Sequence, residues 1–218
     1  KGPPSQYEGQ LVKVSSYQKG NQISLSRITS GGVRGSLDVA KRTVGGVSMA
    51  GNIRIYDKVG SSKLVKVKLS DIPANQSSAS KVLYAEKDYA GRINVLVLDN
   101  ATGDAYTYGK CVVSRATKDE DGNTIGQASI KIEYGNDKES PTVETGTAYR
   151  NGEYGGLAFY GSQSGSRIAS VARMTELDKV PNSAWNGTSS VTVKGVTYAV
   201  PDSVVCYNET TGRWLSVT

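Results

Sequence analysis

Histidine is absent from the 218 residues. Without imidazole the chain has no Ser-His-Asp or Cys-His nucleophilic relay and no histidine-ligated metal centre. Cysteine is almost absent as well. Two residues, Cys111 and Cys206, exclude a disulfide-dense scaffold and a cysteine-built zinc site. No stretch approaches the ~20 consecutive apolar residues of a membrane-crossing helix, so no membrane span is expected in this segment. No convincing amphipathic helix stands out, and 168–177 is the one stretch where helix and strand compete. No Met and no signal peptide are read at the chain's start. The chain opens Lys1-Gly2-Pro3-Pro4, as a fragment or processed product would.

What is present reads as β-structure. Thirteen tyrosines stand against one phenylalanine, a skew that suits thin sheets with one wet face. Twenty-five glycines, with much Ser, Thr and Asn, imply many turns. The net charge of +6 and pI near 9.2 allow an anionic partner. The lysines are scattered, however, and the densest group, Lys63, Lys66 and Lys68, reads as a solvated strand face. No nucleic acid partner is expected, because no clustered basic groove is visible.

The chain is organised around residues 82–99. They read as two strands about an Asp88-Tyr89-Ala90-Gly91 turn, and the second, 93–98, is almost wholly apolar, as a strand buried on both faces would be. Residues 1–8 read as a linker. Strands are expected at 10–16, 23–28, 36–39, 43–48, 53–56 and 63–69, followed by a polar connector at 70–80 with room for one helical turn.

From Gly109 the pattern restarts. Gly109-Lys110-Cys111-Val112-Val113 echoes Gly9-Gln10-Leu11-Val12-Lys13. Thr192-Val193-Lys194-Gly195-Val196 echoes Thr43-Val44-Gly45-Gly46-Val47, and Val204 to Asn208 echoes Ile53 to Asp57. Tyr207 and Leu215 repeat the spacing of Tyr56 and Leu64. The expectation is an all-β chain of two related small barrel- or sandwich-like units from an internal duplication. The first spans 9–108 with the central hairpin. The second spans 109–218 and carries an insertion at about 135–190.

Chemistry-bearing residues are few. Ser78-Ala79-Ser80-Lys81 has the spacing of serine–lysine acylases, yet it lies in a Ser-rich connector without the partner motifs, so chance is the better reading. Asp119, Asp121 and Asn123 stand at alternate positions and offer a weak calcium loop. The bidentate Glu is missing, and the matching stretch of the first copy has no acids. Glu133, Glu144, Glu153 and Asp178 could serve a carboxylate-based glycan hydrolase only if two of them met across a cleft. Cys111 and Cys206 stand where the first copy has Leu11 and Ile55. Buried free thiols are expected, and a disulfide between them is the alternative. The candidate ligand set is Tyr154, Phe159, Tyr160 and Trp185 in the insertion. These rings either stack on sugars or close a small core. Four N-x-S/T sequons begin at Asn75, Asn100, Asn186 and Asn208, and would carry sugar only in a glycosylating host.

The wording of two stretches, 82–109 (VLYAEKDYAGRINVLVLDNATGDAYTYG) and 199–217 (AVPDSVVCYNETTGRWLSV), resembles the carboxy-terminal β-rich regions of bacterial cell-surface proteins that carry S-layer homology domains, from Gram-positive anaerobes. The resemblance covers about half the chain, in patches. It implies an exported protein attached to the wall through domains outside this segment. Together with the missing catalytic groups, the expectation is a non-catalytic structural or adhesive module at the cell surface or wall, with no cofactor, and with a cell-wall polymer, a glycan or other surface proteins as partners. It transfers no functional residue.

Overall fold

A computed structural model describes residues 4–73, 77–114, 117–118, 120–121, 124–125, 128–140, 143–145, 156–161 and 168–216. They form β-strands, short 3-10 turns and loops, and among them no helix is long and apolar enough to cross a membrane. The chain divides into two compact units, Lys1–Ala105 and Tyr106–Thr218. The division lies three residues before the boundary expected near Tyr108–Gly109.

In the first unit, β1 (Val12–Tyr17) and β2 (Gln22–Arg27) form an antiparallel hairpin. The main sheet runs in the order β3-β8-β9-β6-β5-β4, with β7 also on β6. Its strands are β3 (Gly31–Gly32), β4 (Leu37–Asp38), β5 (Thr43–Val44), β6 (Val47–Lys58), β7 (Val65–Val67), β8 (Val82–Lys87) and β9 (Ile93–Asp99). The apolar run identified in the sequence is β9, at the middle of this sheet. Ile93, Val95, Leu96, Val97 and Leu98 are all buried, and β9 pairs antiparallel with β8 and parallel with β6. Leu37, Val44, Met49, Ile55, Val67, Ile72, Ala85 and Ala101 form the core cluster with Ile93, Leu96 and Leu98. The central hairpin therefore belongs to the first unit. The connector before it holds two 3-10 turns, at Leu69–Asp71 and Ala79–Lys81.

In the second unit the principal sheet has the order β14-β13-β10-β16-β17, with β15 also on β13. Its strands are β10 (Thr107–Ser114), β13 (Ala128–Gly135), β14 (Lys138–Glu139), β15 (Val143–Thr145), β16 (Leu157–Gly161) and β17 (Ile168–Arg173). The ambiguous stretch 168–177 thus opens as a strand. A small ribbon pairs β11 (Thr117–Lys118) with β12 (Thr124–Ile125). A three-stranded sheet joins β18 (Trp185–Asn186), β19 (Ser190–Val193) and β20 (Val196–Ala199), and β21 (Val205–Asn208) pairs with β22 (Arg213–Ser216). Among the described residues its core cluster is Ile132, Leu157 and Phe159, with Tyr134, Ile168 and Val171 against them.

Gly109 reads as the start of a repeat but is a packing residue within β10. A Cβ there would stand 2.3 Å from the Glu133 carbonyl oxygen and 2.6 Å from Ile132 Cγ2. Two tight hairpins do share geometry. Val44 pairs with Val47 across Gly45 (φ 55°) and Gly46 (φ 78°), and Val193 pairs with Val196 across Lys194 (φ 50°) and Gly195 (φ 79°). Positive φ at both central residues is the turn that matches strand twist. Beyond the turns the two units diverge. β6 runs on unbroken to Lys58, whereas β20 stops at Ala199, before Pro201, and β21 pairs elsewhere. Ile55 opposes Val67 but Cys206 opposes Leu215, so the repeated Tyr–Leu spacing is not a repeated pairing.

Candidate functional site

The side chains of β10 and β16 alternate between two faces of the sheet. Thr107 opposes Phe159 and Gly109 opposes Leu157, which sets one face inward. Tyr108 opposes Ala158 on the other. Phe159 is 8% exposed and meets the Tyr134 ring at 5.5 Å. It closes the core, so its expected place in a ligand surface is corrected: the strand register turns it inward.

Tyr160, one residue on, faces the opposite way and remains half-buried. Its ring meets that of Tyr106 edge-on at 5.8 Å, and Tyr106 lies 6.3 Å from Tyr108 at an interplanar angle of 59°. The sequence reading missed Tyr106 and Tyr108. The clue was available, since both precede or begin β10 at alternate positions, but they lay outside the presumed insertion. Trp185 is on β18, opposite Val191 in the separate three-stranded sheet, and makes no ring contact with Tyr160 among the described residues. Tyr154 lies outside the described residues.

The same outer face continues into a latch. Lys110 lies two residues beyond Tyr108, and its ammonium stands 5.1 Å from the Tyr207 ring centroid. Tyr207 packs on Trp214 at 5.2 Å. The Trp214 indole N–H donates to Glu133 Oε1 at 2.7 Å. Asn136 accepts from the Trp214 backbone N–H at 3.0 Å and donates to its carbonyl at 3.1 Å, as a ladder residue would. Glu133 is therefore engaged structurally. Asp178 is exposed, and Glu144 and Glu153 carry no described side chain.

The first unit holds one buried acid, Asp57, fully inaccessible to solvent. Its Oδ1 accepts from the Lys58 and Ala101 amides, each at 3.0 Å. Its Oδ2 accepts from the Thr102 amide at 2.8 Å and the Thr102 hydroxyl at 2.7 Å. Every bond goes to the turn after β9 or to its own neighbour, so the carboxylate is a clamp. Lys81 gives its ammonium to the carbonyls of Asp99 and Asn100, at 3.1 Å each, while the Ser78 hydroxyl lies 2.9 Å from that of Ser80. The serine–lysine spacing thus serves two separate turn contacts. Burial, then the charge and hydrogen bond of Glu86, push the Tyr84 hydroxyl up.

Cys206 is a half-buried free thiol, and burial pushes its pKa up. The alternative bridge to Cys111 is therefore not formed in this structure. The backbone of Cys111 opposes Ile132 in β10. Of the weak calcium set, Asp121 is exposed, while Asp119 and Asn123 lie outside the described residues. No family model, no curated protein and no solved structure matches this chain.

Proposed function

We propose that this chain is a non-catalytic, extracellular module of a bacterial cell-surface protein, with a structural or adhesive role. The observation that carries this reading is how the reactive-looking groups are used. Asp57 clamps a turn, Glu133 holds an indole, and the Tyr106 ring meets Tyr160 edge-on and Tyr108 at a tilt. Tilted rings in mutual contact stabilise a thin sheet; they do not offer the flat platform that stacks on a sugar. The resemblance of 82–109 and 199–217 to surface-protein sequences supplies the location. The shared hairpin turns at Gly45-Gly46 and Lys194-Gly195 support descent of the two units from one ancestor.

A second reading, glycan binding, draws on the half-exposed outer face itself, where Tyr160, Tyr106 and Tyr108 share one side with Lys110. Retention on washed cell-wall sacculi and insoluble polysaccharides, at low and high salt, separates the readings. No retention favours the spacer role. Loss of retention with salt points to the positive charge meeting an anionic polymer. Salt-resistant retention abolished by Tyr106→Ala and Tyr160→Ala establishes the glycan face and overturns the purely structural reading.

A further inference from the structure

The positive charge of this protein belongs wholly to its first unit. Residues 1–105 hold fifteen Lys and Arg against eight Asp and Glu, and residues 106–218 hold eleven against twelve. A charge difference of this kind between two halves points to an anionic partner. The acids of the first unit are mostly engaged close to home. Asp57 is the buried clamp, Asp71 accepts from the Lys68 amide, and Asp38 and Asp88 accept from the Lys41 and Arg92 amides. Glu8 lies 3.8 Å from the Lys63 ammonium.

Three cations gather on the face of the main sheet away from its core. Ile55, Val67, Ala85 and Leu96 line the core side, and strand alternation puts their neighbours on the other. One row across that outer face is Lys66, Tyr56, Val97 and Tyr84. The next holds Arg54, Val95 and Glu86. Lys68 joins it, since Ile55 pairs with Val67 and the chain stays extended at Lys68 (φ −98°, ψ 154°). A third row sets Lys58 against Asp99 and is neutral. Val95 and Val97 at the centre are closed to solvent, whereas Lys66, Lys68, Arg54 and Glu86 are exposed and Tyr56 and Tyr84 half-buried. Glu86 accepts the hydrogen bond of the Tyr84 hydroxyl. Among the described residues Lys66, Lys68 and Arg54 make no ion pair, and neither tyrosine ring contacts another ring. Like charges set side by side across strands cost stability, and an anion over them removes that cost.

We propose, on the adhesive reading given above, that this face binds an acidic polysaccharide, one that carries a carboxylate on its sugar rings. Neighbouring strands lie about 4.8 Å apart, so Lys66 and Tyr56 set a cation beside an aromatic ring at that spacing. A uronic-acid residue presents the matching pair: a ring face of C–H groups for Tyr56 and, on the same ring, a carboxylate for Lys66. Tyr84, two strands from Tyr56 and so about 10 Å away, receives a further sugar. Arg54 and Lys68 flank the row and take the next carboxylate, Arg54 as a two-pronged donor. Tyr106, Tyr108 and Tyr160 of the second unit, by contrast, are taken up with one another. The positive strip is two strands wide and bounded by Glu86 and Asp99, which disfavours a nucleic-acid backbone, since that needs a continuous basic groove.

Titration calorimetry of the whole chain with polygalacturonate, at low and high salt, tests this face. Binding is expected, weaker in high salt, with none to neutral dextran. Lys66→Glu combined with Arg54→Glu should lower the affinity about tenfold or more. Lys13→Glu combined with Lys19→Glu makes the same change in net charge on the β1–β2 hairpin and should cost about twofold at most. Tyr56→Leu keeps an apolar group over the sheet and should weaken the binding that survives salt. All variants should keep the native far-ultraviolet dichroism, and the milder Lys66→Gln should lower affinity in the same direction. No binding of polygalacturonate overturns the face alone, because the adhesive reading stands or falls by retention on sacculi. Equal affinity for dextran, or equal losses in the two charge-reversal pairs, also overturns the face. Tighter binding of a single-stranded DNA oligonucleotide overturns the polysaccharide as partner and the adhesive reading with it.

Discussion

Single residues show how much of the first unit hangs on contacts distant in sequence. Asp57 reaches the turn after β9 across 44 and 45 residues. Asp57→Ala would leave the Ala101 and Thr102 amides without their acceptor, in a place closed to water. A buried donor left unsatisfied costs about 1–3 kcal/mol. The variant should lose roughly 3 kcal/mol in denaturant unfolding, and Thr102→Val, which removes only the hydroxyl bond, about 1 kcal/mol. Cys206 makes a pH prediction. Burial raises its folded pKa, so the unfolded chain releases the thiol proton at lower pH than the folded one. The contribution of this group is constant below the unfolded thiol pKa and declines as pH rises through it. In the folded Cys111→Ser variant, alkylation of Cys206 should be slower near pH 8 than in the denatured protein, and its rate profile should lie at higher pH. Equal profiles would contradict the burial.

At the scale of elements, β22 is held to the principal sheet by the Trp214 indole on Glu133 and by the Asn136 side chain, which accepts from the Trp214 amide and donates to its carbonyl. A hydrogen bond to a charged acceptor contributes about 1.5–3 kcal/mol. A double-mutant cycle of Trp214→Phe and Glu133→Gln should give a coupling of about 1–2 kcal/mol, read from urea unfolding. Additive losses would mean that packing of the ring against Tyr207, not the bond, seats the hairpin. The β1–β2 hairpin contrasts with this. Val14 and Ile23 are 61% and 59% exposed, and no residue of the pair belongs to the core of its unit. Its order rests on cross-strand bonds, the Gln18–Gly20 turn and Tyr7, whose hydroxyl donates to the Leu25 carbonyl and whose ring lies under the Arg27 guanidinium.

Over the whole molecule the described residues of the two units differ in the depth of core they form. Among the described residues, eleven buried side chains make up the apolar core of the first, against three in that of the second. Protection from hydrogen exchange follows burial and ladder depth. Amides of Leu96 and Leu98 in β9 should exchange most slowly, and those of β16 faster by at least an order of magnitude. Comparable protection in the two strands would show that the second unit owes its stability to something other than this core.

The all-β class, most strand positions and the centrality of β9 were legible in the sequence, because alternation, tight-turn residues and a continuous apolar run act through near neighbours. Residues 93–98 declared a strand covered on both faces, and Val193-Lys194-Gly195-Val196 declared its turn. Choice of partner was not legible. Nothing local says that β6 pairs parallel with β9, since closing a longer loop costs only slightly more entropy than a shorter one and many apolar strands compete for each edge. The candidate site was half legible for the same reason. Four aromatic residues were picked for proximity in the chain, but one step of strand register sends Phe159 into the core and leaves Tyr160 outside, beside Tyr106 and Tyr108, which are more than 50 residues earlier. Pairing register decides which rings meet, and register is set by packing across the whole sheet.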